Sequence, residues 1–568
     1  MVIAAGVANR IRLAVVVAGC VGQAASALAD VTVIARGGVT APGTSENFAE
    51  SFGTPTIDES GAVLFRAQLT GTAVTSANDY GIWFGPAGGL QLQAREGNVA
   101  PDCGGAVFNV LGSPILCNGR IAFTATLTGA GVNSSNNQGL FAGEPGNIRL
   151  VMRKGTQAPG LPVGCLYNQI NDFAVGIGGS MAFRSTLTGT GVTTTNDTAV
   201  SLVIAGIPTI GVREATPLPS IAVNAAVGDL ATGNLTFNAL GEVECVSTVT
   251  GAGAGTTQGL WRISTAGVQI MGRSRLAAPG TPTGQTWLDF FSTTSMSATG
   301  RSAFSATLQG TGVNTGNNVG LWVGSPGAVT LAVRGGDFAP GTILSFQAFT
   351  TTPHINSAGE IAFSATLWGS GATSTNNCGV WASQAGQVRL LGQAGEQVPG
   401  FAPGVVFSAE PATRVVMNDS SDVVMRWRII DGATTPSVLL MRAGNGSWRT
   451  LLREGDAVVL SDSVTKTVSA TWFASNGNSS GDDGRGSVLN NSGTVASLIG
   501  FAEGGYAVVT LRGVCAADFN ADGIVDFFDY LDFVAAFSSS DPGADFNNDS
   551  SIDFFDYLDF VAAFSVPC

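Results

Sequence analysis

From residue 30 to about residue 513 the chain alternates apolar and polar positions at period two, in short runs broken by Gly-, Asn- and Pro-rich turns. That pattern predicts strands with one packed face, and one unit of pattern recurs. Gly119-Arg-Ile-Ala-Phe123-Thr-Ala-Thr-Leu returns as Gly179-Ser-Met-Ala-Phe183, Gly300-Arg-Ser-Ala-Phe304 and Gly359-Glu-Ile-Ala-Phe363, with an earlier copy from Gly61 to Phe65. A second strand follows, at Gly81-Ile-Trp83, Gly139-Leu-Phe141, Gly259-Leu-Trp261, Gly320-Leu-Trp322 and Gly379-Val-Trp381. A third ends in Arg-x-Gly at Arg36, Arg95, Arg153, Arg334 and Arg453, with Arg213, Arg273 and Gln393 in register but altered. An Ala-Pro-Gly turn often comes next, as at Ala41-Pro42-Gly43, and a stretch such as 285–291 leaves room for one more strand.

Four short strands in a recurring unit of about sixty residues describe a propeller blade. The expectation is an all-β, eight-bladed β-propeller, counted from the eight Arg-signature strands. Seven blades is the alternative, because the last unit is irregular and carries the polar insert 476–487. A chain of sandwiches rarely repeats its sequence and a β-helix uses shorter coils, so both fit less well. Residues 31–36 read as a lone third-type strand, and the last unit is one strand short. The N-terminal strand is therefore expected to complete the last blade and remove an exposed sheet edge.

Composition agrees with a turn-rich β protein, at 45% hydrophobic and 12% charged residues with 78 Gly. Charge divides the chain. Residues 515–568 hold 11 of the 40 acidic residues and no Lys or Arg, leaving 29 acidic against 26 basic groups in the rest. No basic stripe exists to neutralise phosphates, which argues against a nucleic-acid partner. At the start, Arg10 and Arg12 precede an apolar run and Ala27-Leu28-Ala29 offers a cleavage site, so 1–29 reads as an export signal. The alternative is a lipidated Cys20 within Val17-Ala18-Gly19-Cys20. No later stretch is long and apolar enough to predict a membrane span. Export permits disulfides, and two are expected, Cys103–Cys117 within one unit and Cys515–Cys568 clasping the tail. Cys165, Cys245 and Cys378 are left over, and Cys245, standing where sister units carry Phe, reads as a buried thiol.

Catalytic signals are sparse. The one histidine, His354, does not make a triad or a His-rich metal site, and it reads as a satisfied histidine. Asp172, Asp229 and Asp289 differ between units and fall near the first strand, which borders the channel in many propellers; a glycosidase needs two such carboxylates, whereas solvated loop acids are the simpler reading. The recurring Asn turns (Asn78, Asn136-Asn137, Asn196, Asn317-Asn318, Asn376-Asn377) fit turn chemistry, and the recurring Arg fits a structural bond to a neighbouring loop.

Residues 514–568 form a separate unit with an internal duplication. Asp518, Asn520, Asp522, Ile524 (by its carbonyl), Asp526 and Asp529 occupy positions 1, 3, 5, 7, 9 and 12 of a calcium loop, and Asp545, Asn547, Asp549, Ser551 (by its carbonyl), Asp553 and Asp556 repeat it. Each loop runs into a helix beginning Phe-Phe-Asp-Tyr-Leu. Hard oxygen ligands at this spacing imply two Ca2+ sites. The duplication resembles a dockerin, of the type in which a Cys opens the module and Asp-Phe-Phe-Asp-Tyr recurs. That resemblance implies a small helical two-calcium domain that docks a secreted protein onto a cohesin-like or cell-surface partner. Two departures stand out: Ser550 replaces the loop glycine found at Gly523, and positions 10 and 11, which carry recognition residues in such modules, are Phe527-Phe528 and Phe554-Phe555, which fit a partner surface and packing of the two helices against each other equally well. The body is similar to uncharacterised tandem-repeat proteins of secreted bacterial type, which implies no activity. The sequence thus leads to a secreted, non-catalytic binding or surface protein with a glycan as the candidate propeller ligand. A dockerin-borne carbohydrate-active enzyme and a structural surface component are the alternatives.

Overall fold

The computed structural model describes residues 30–218, 220–230, 233–251, 257–460, 464–472, 483–513, 517–519, 525–546 and 551–565. The expected export signal 1–29, Cys20, Cys515 and Cys568, and loop positions Asn520, Asp522, Ile524, Asn547 and Asp549 lie outside them.

Each repeat folds as one antiparallel sheet, and there are eight. Blade 1 contains Asn47–Phe52, Thr56–Ile57, Val63–Thr70, Tyr80–Gly85 and Gln91–Arg95. Blades 2 to 7 occupy 107–153, 165–213, 226–273, 285–334, 345–393 and 406–453. Blade 8 takes 457–512 and is finished by Asp30–Arg36, which pairs antiparallel with Tyr506–Arg512 from Asp30↔Arg512 to Arg36↔Ala507. The N-terminal strand thus closes the ring as expected, and it does so with eight blades.

Period-two patterning puts one apolar face of each sheet against the next blade, and eight such cores result. Closure shows in two of them. Val31 packs with Leu439, Leu451 and Val509 between blades 7 and 8, and Ile34 and Ala35 pack with Phe48, Trp83 and Val508 between blades 8 and 1. The repeated aromatics face each other across strands, as Phe65↔Trp83, Phe123↔Phe141, Phe304↔Trp322 and Phe363↔Trp381, each pair near-parallel. Cys245 takes the Phe place opposite Trp261, and burial pushes its thiol up to about 12. The indoles of Trp83, Trp322 and Trp381 donate to the carbonyls of Pro42, Pro279 and Pro340 at 2.9, 3.0 and 3.0 Å, which pins the Ala-Pro-Gly turns to the cores.

The Arg and Asn motifs are two halves of one device. Nε of Arg95, Arg153, Arg213 and Arg334 donates to the carbonyl of Asn78, Asn136, Asn196 and Asn317, and Gln393 donates likewise to Asn376. Each Asn in turn closes its own loop, its Oδ1 accepting from the amide three residues back. The glycine of Arg-x-Gly is needed because the chain passes against this turn: at Gly155, with φ of +85°, a Cβ would lie 2.6 Å from the Ser135 carbonyl.

One expected disulfide is absent. Cys103 is a free thiol in the core between blades 1 and 2, whereas Cys117 lies in the core between blades 2 and 3. The blade 2 sheet stands between them, so nearness in sequence does not become nearness in space.

The tail has two helices, α1 (Phe527–Ser538) and α2 (Phe554–Phe564). Phe533 and Phe560 stack at 4.0 Å between centroids, and the Tyr530 and Tyr557 hydroxyls meet at 3.2 Å. The duplicated sequence therefore packs its two copies through equivalent residues. Among the described residues no helix is long and apolar enough to cross a membrane.

Candidate functional site

The innermost strand of each blade has a partner on one side only, so its open edge faces the channel. Antiparallel register aligns these strands between blades: Thr56↔Leu64, Ile115↔Ala122, Ala174↔Ala182, Thr236↔Glu244, Ser295↔Ala303, His354↔Ala362 and Val416↔Val424. Two residues before each lies a ring of polar positions, Thr54, Ser113, Asp172, Asn234, Thr293, Thr352 and Arg414, all exposed or half-buried. The cores repeat, whereas this ring carries Thr on three blades and Ser, Asp, Asn and Arg on the other four. A ligand site on a near-symmetric ring must break the symmetry, and here it is broken at one level of the channel.

Blade 8 supplies something else at that level. Its polar insert ends in a buried strap, Asp483-Gly484-Arg485-Gly486-Ser487, which crosses to the far side of the ring. The Phe237 amide of blade 4 donates to the Asp483 carbonyl at 2.6 Å, Val175 of blade 3 to Gly484 at 2.8 Å, and Ile57 of blade 1 to Ser487 at 2.8 Å. Arg485 makes a two-pronged pair with Asp172, at 2.9 and 2.6 Å, and donates through Nε to the Leu235 carbonyl at 2.6 Å. Arg184 stands 3.8 Å from the same carboxylate and holds the blade 4 loop through the carbonyls of Leu230 and Gly233. The glycines permit the passage: at Gly484, with φ of +77°, a Cβ would meet the Phe237 carbonyl at 2.9 Å, and at Gly486 one would meet Thr56 Cγ2 at 2.5 Å. The strap makes the channel a cup with a floor.

The expected acids do not converge. Asp172 is engaged by Arg485, and Asp229 and Asp289 are exposed on blades 4 and 5. His354 is 3% exposed, its Nδ1 has no hydrogen-bond partner, and burial, with Arg414 nearby, holds its pKa down to about 3. It is buried as expected of a structural histidine, yet it is not satisfied. A second departure from the repeat, which sequence reasoning missed, is the buried pair in blade 4. Glu244 replaces the Ala, Leu or Val of its sisters and lies 4.0 Å from Arg262, while burial raises its pKa against the pull of that guanidinium. Arg262 is anchored by Glu242 at 2.8 Å and Ser302 at 2.6 Å.

In the tail, the described residues hold part of each expected calcium loop. Asp526 and Asp553 cap their helices, and Asp529 and Asp556, both fully buried, reach back to the cap amides at 2.8 Å. Asp556 also accepts from the Phe546 amide at 2.7 Å, which brings position 12 back to the loop entrance beside Asp545. That closure fits an oxygen-ligated cation. Among the described residues no group of three or more acid, His or Cys side chains is assembled for a metal. The Phe pairs do not pack the helices together: Phe527, Phe528, Phe554 and Phe555 are 64 to 66% exposed, with Leu531 and Leu558 beside them.

Fold and channel together define a closed eight-bladed β-propeller with a floored, asymmetric cup. The chain belongs to DUF7453, a family of unknown function, whose model matches residues 20–434 and 345–514 and so leaves out the tail. No curated protein matches it. Among solved structures it is similar to polysaccharide lyase Uly1 (9% identity, 74% of this chain and 93% of that one, TM-score 0.35). Another is the β-propeller domain of the Trilobed protease from Pyrococcus furiosus (8%, 70% and 97%, 0.31). A third is puromycin hydrolase, of which the match spans 58%, with 66% of this chain, 11% identity and a TM-score of 0.30.

Proposed function

We propose that the chain is an exported, non-catalytic binding protein whose propeller cup holds a ligand and whose tail docks it, in a calcium-dependent manner, onto a cohesin-like or cell-surface partner. The observation that carries the binding half is the ring of unlike polar residues set on a wall of like blades. The engagement of Asp172 by Arg485 supports binding rather than turnover, since a carboxylate held in a two-pronged ion pair is a poor general acid or base. Docking is supported by the four exposed Phe rings on a tail without a basic residue, a surface suited to a partner with apolar sockets and a basic rim. Calcium would be held by Asp518, Asp526, Asp529 and their counterparts with the loop residues between them, and it supplies the positive charge that lets the carboxylates lie together.

The test is full-length protein on an oligosaccharide panel, with reducing ends assayed in parallel, and on a panel of cohesin modules with calcium or chelator. Retention without release of shortened products, and cohesin capture lost both in chelator and in Phe527→Ala/Phe528→Ala, is the expected result. Release of products, or capture indifferent to calcium, overturns the corresponding half.

A further inference from the structure

Most of the charged groups around the channel are engaged. Asp172 holds Arg485 and Arg184, Asp483 accepts from the Arg485 amide, and Arg426 lies 3.7 Å from Glu454 with further bonds to Thr471 and Ser437. Arg414 differs. It stands in the polar ring where other blades carry Thr, Ser, Asn or Asp, it is exposed, and its side chain has no hydrogen-bond or ion-pair partner among the described residues. Its strand pairs it with Arg426, so a second guanidinium stands behind it. Beside it on blade 6 is His354, buried, neutral at ordinary pH and with an unpartnered Nδ1.

We propose that Arg414 is the specificity residue of the cup and that the ligand is an acidic saccharide, its carboxylate taken by the Arg414 guanidinium; this deepens the binding reading and rests on it. A guanidinium offers a planar fork that matches a carboxylate. The rest of the ring suits the rest of a sugar. Thr352 and Thr293 hydroxyls lie together at 3.0 Å on the two neighbouring blades, and Asn234 and Ser113 continue the polar lining toward blade 2. Hydroxyls and amides give and accept hydrogen bonds in either direction, as a polyhydroxylated ring requires. On the floor Arg485 is paired with Asp172, so the anion meets the Arg414 guanidinium at a defined place.

The experiment is calorimetric titration of the full-length protein with trigalacturonate, with neutral galactotriose and with acetate, in wild type, Arg414→Thr and Arg414→Lys. Arg414→Thr installs the residue that blades 5 and 6 carry at this position, so the fold is expected to hold, and an unchanged melting temperature verifies it. Loss of one charge-assisted contact lowers affinity for the acidic trisaccharide about tenfold or more, leaves the neutral one unchanged, and is partly rescued by Lys. Acetate binding lost in Arg414→Thr supports the anion subsite even if a free carboxylate is its source. An equal affinity of wild type and folded Arg414→Thr for trigalacturonate overturns the proposal, as does a wild type that binds neither carboxylate. Neutral saccharide bound without preference for the acid leaves the binding reading standing and removes this one. Release of shortened product removes the binding reading, and the same variant comparison still decides the role of Arg414.

Discussion

Arg485 and Asp172 lie 313 residues apart in the chain and meet in a two-pronged ion pair across the channel, at 2.9 and 2.6 Å. Their side chains are 6% and 15% exposed. In a ring of eight sheets, each held by its neighbours, this pair joins blades that are not neighbours.

Removing Asp172 leaves the buried Arg485 and Arg184 guanidiniums without their carboxylate, and removing Arg485 leaves Asp172 with only the more distant Arg184 for an ion pair. Arg485→Gln or Asp172→Asn is expected to cost about 3 kcal/mol in reversible denaturation, and the double variant less than the sum of the two. Strict additivity in that cycle shows the pair to be uncoupled and the strap to be held by its backbone bonds alone.

The N-terminal strand carries the other closure. Deleting 30–36 uncovers the edge of Tyr506–Arg512 and the apolar neighbours of Val31, Ile34 and Ala35, so the truncated protein should melt lower and aggregate. Ile34→Ala gives the graded version, at about 2 to 4 kcal/mol. A truncated protein that melts like the full-length one contradicts closure by this strand.

His354 ties stability to pH. Its pKa in the folded protein is about 3 against 6.5 for the free side chain, so between those values the unfolded chain binds the proton and the folded one does not. Stability therefore falls as the pH drops below 6.5, by at most about 1.4 kcal/mol per unit, and the loss is complete near 3. Above 6.5 the residue contributes no slope. His354→Thr, the residue of blades 1 and 4, is expected to flatten that share of the acid limb in urea denaturation at pH 5 and 7.

The tail should order on metal. In the full-length protein, hydrogen exchange of α1 and α2 is expected to be fast in chelator and slow in calcium, with Asp529→Asn and Asp556→Asn each removing one site. Gly523 suits the sharp turn at loop position 6 and Ser550 does not, so Asp556→Asn should remove the weaker site. Helices protected equally with and without calcium contradict the metal reading.

What was legible in the sequence was whatever the repeat states many times. Gly-x-x-x-Phe, the facing Trp and the Arg signature carried the strand order and the seam and favoured eight blades over seven, because a core position is set by its local period. The bond from Arg334 to the Asn317 carbonyl was also within reach, since both motifs recur at one spacing. The strap was not. It occurs once, its partner is far away in the chain, and its polar composition resembles a degenerate loop; only the two glycines flanking Arg485 mark a backbone in close quarters. Cys103 and Cys117 misled because a sheet separates residues that sequence distance brings together. Phe527 and Phe554 left packing and display equally open, and burial decided for display.

Asp30 and Arg512 are direct partners in the last sheet, so the polypeptide enters and leaves the ring at the same spot. The seam is then a matter of where the chain was cut, not of how the ring is made. A circular permutant that joins 512 to 30 through a short linker and opens instead in an Ala-Pro-Gly turn, such as that at Pro340, would keep every sheet and give up only the bonds of that turn, among them the one from Trp381. It would also change the order in which the interfaces form: the blade that now waits for the last strand to be synthesised would close early, and the seam would lie between blades 5 and 6.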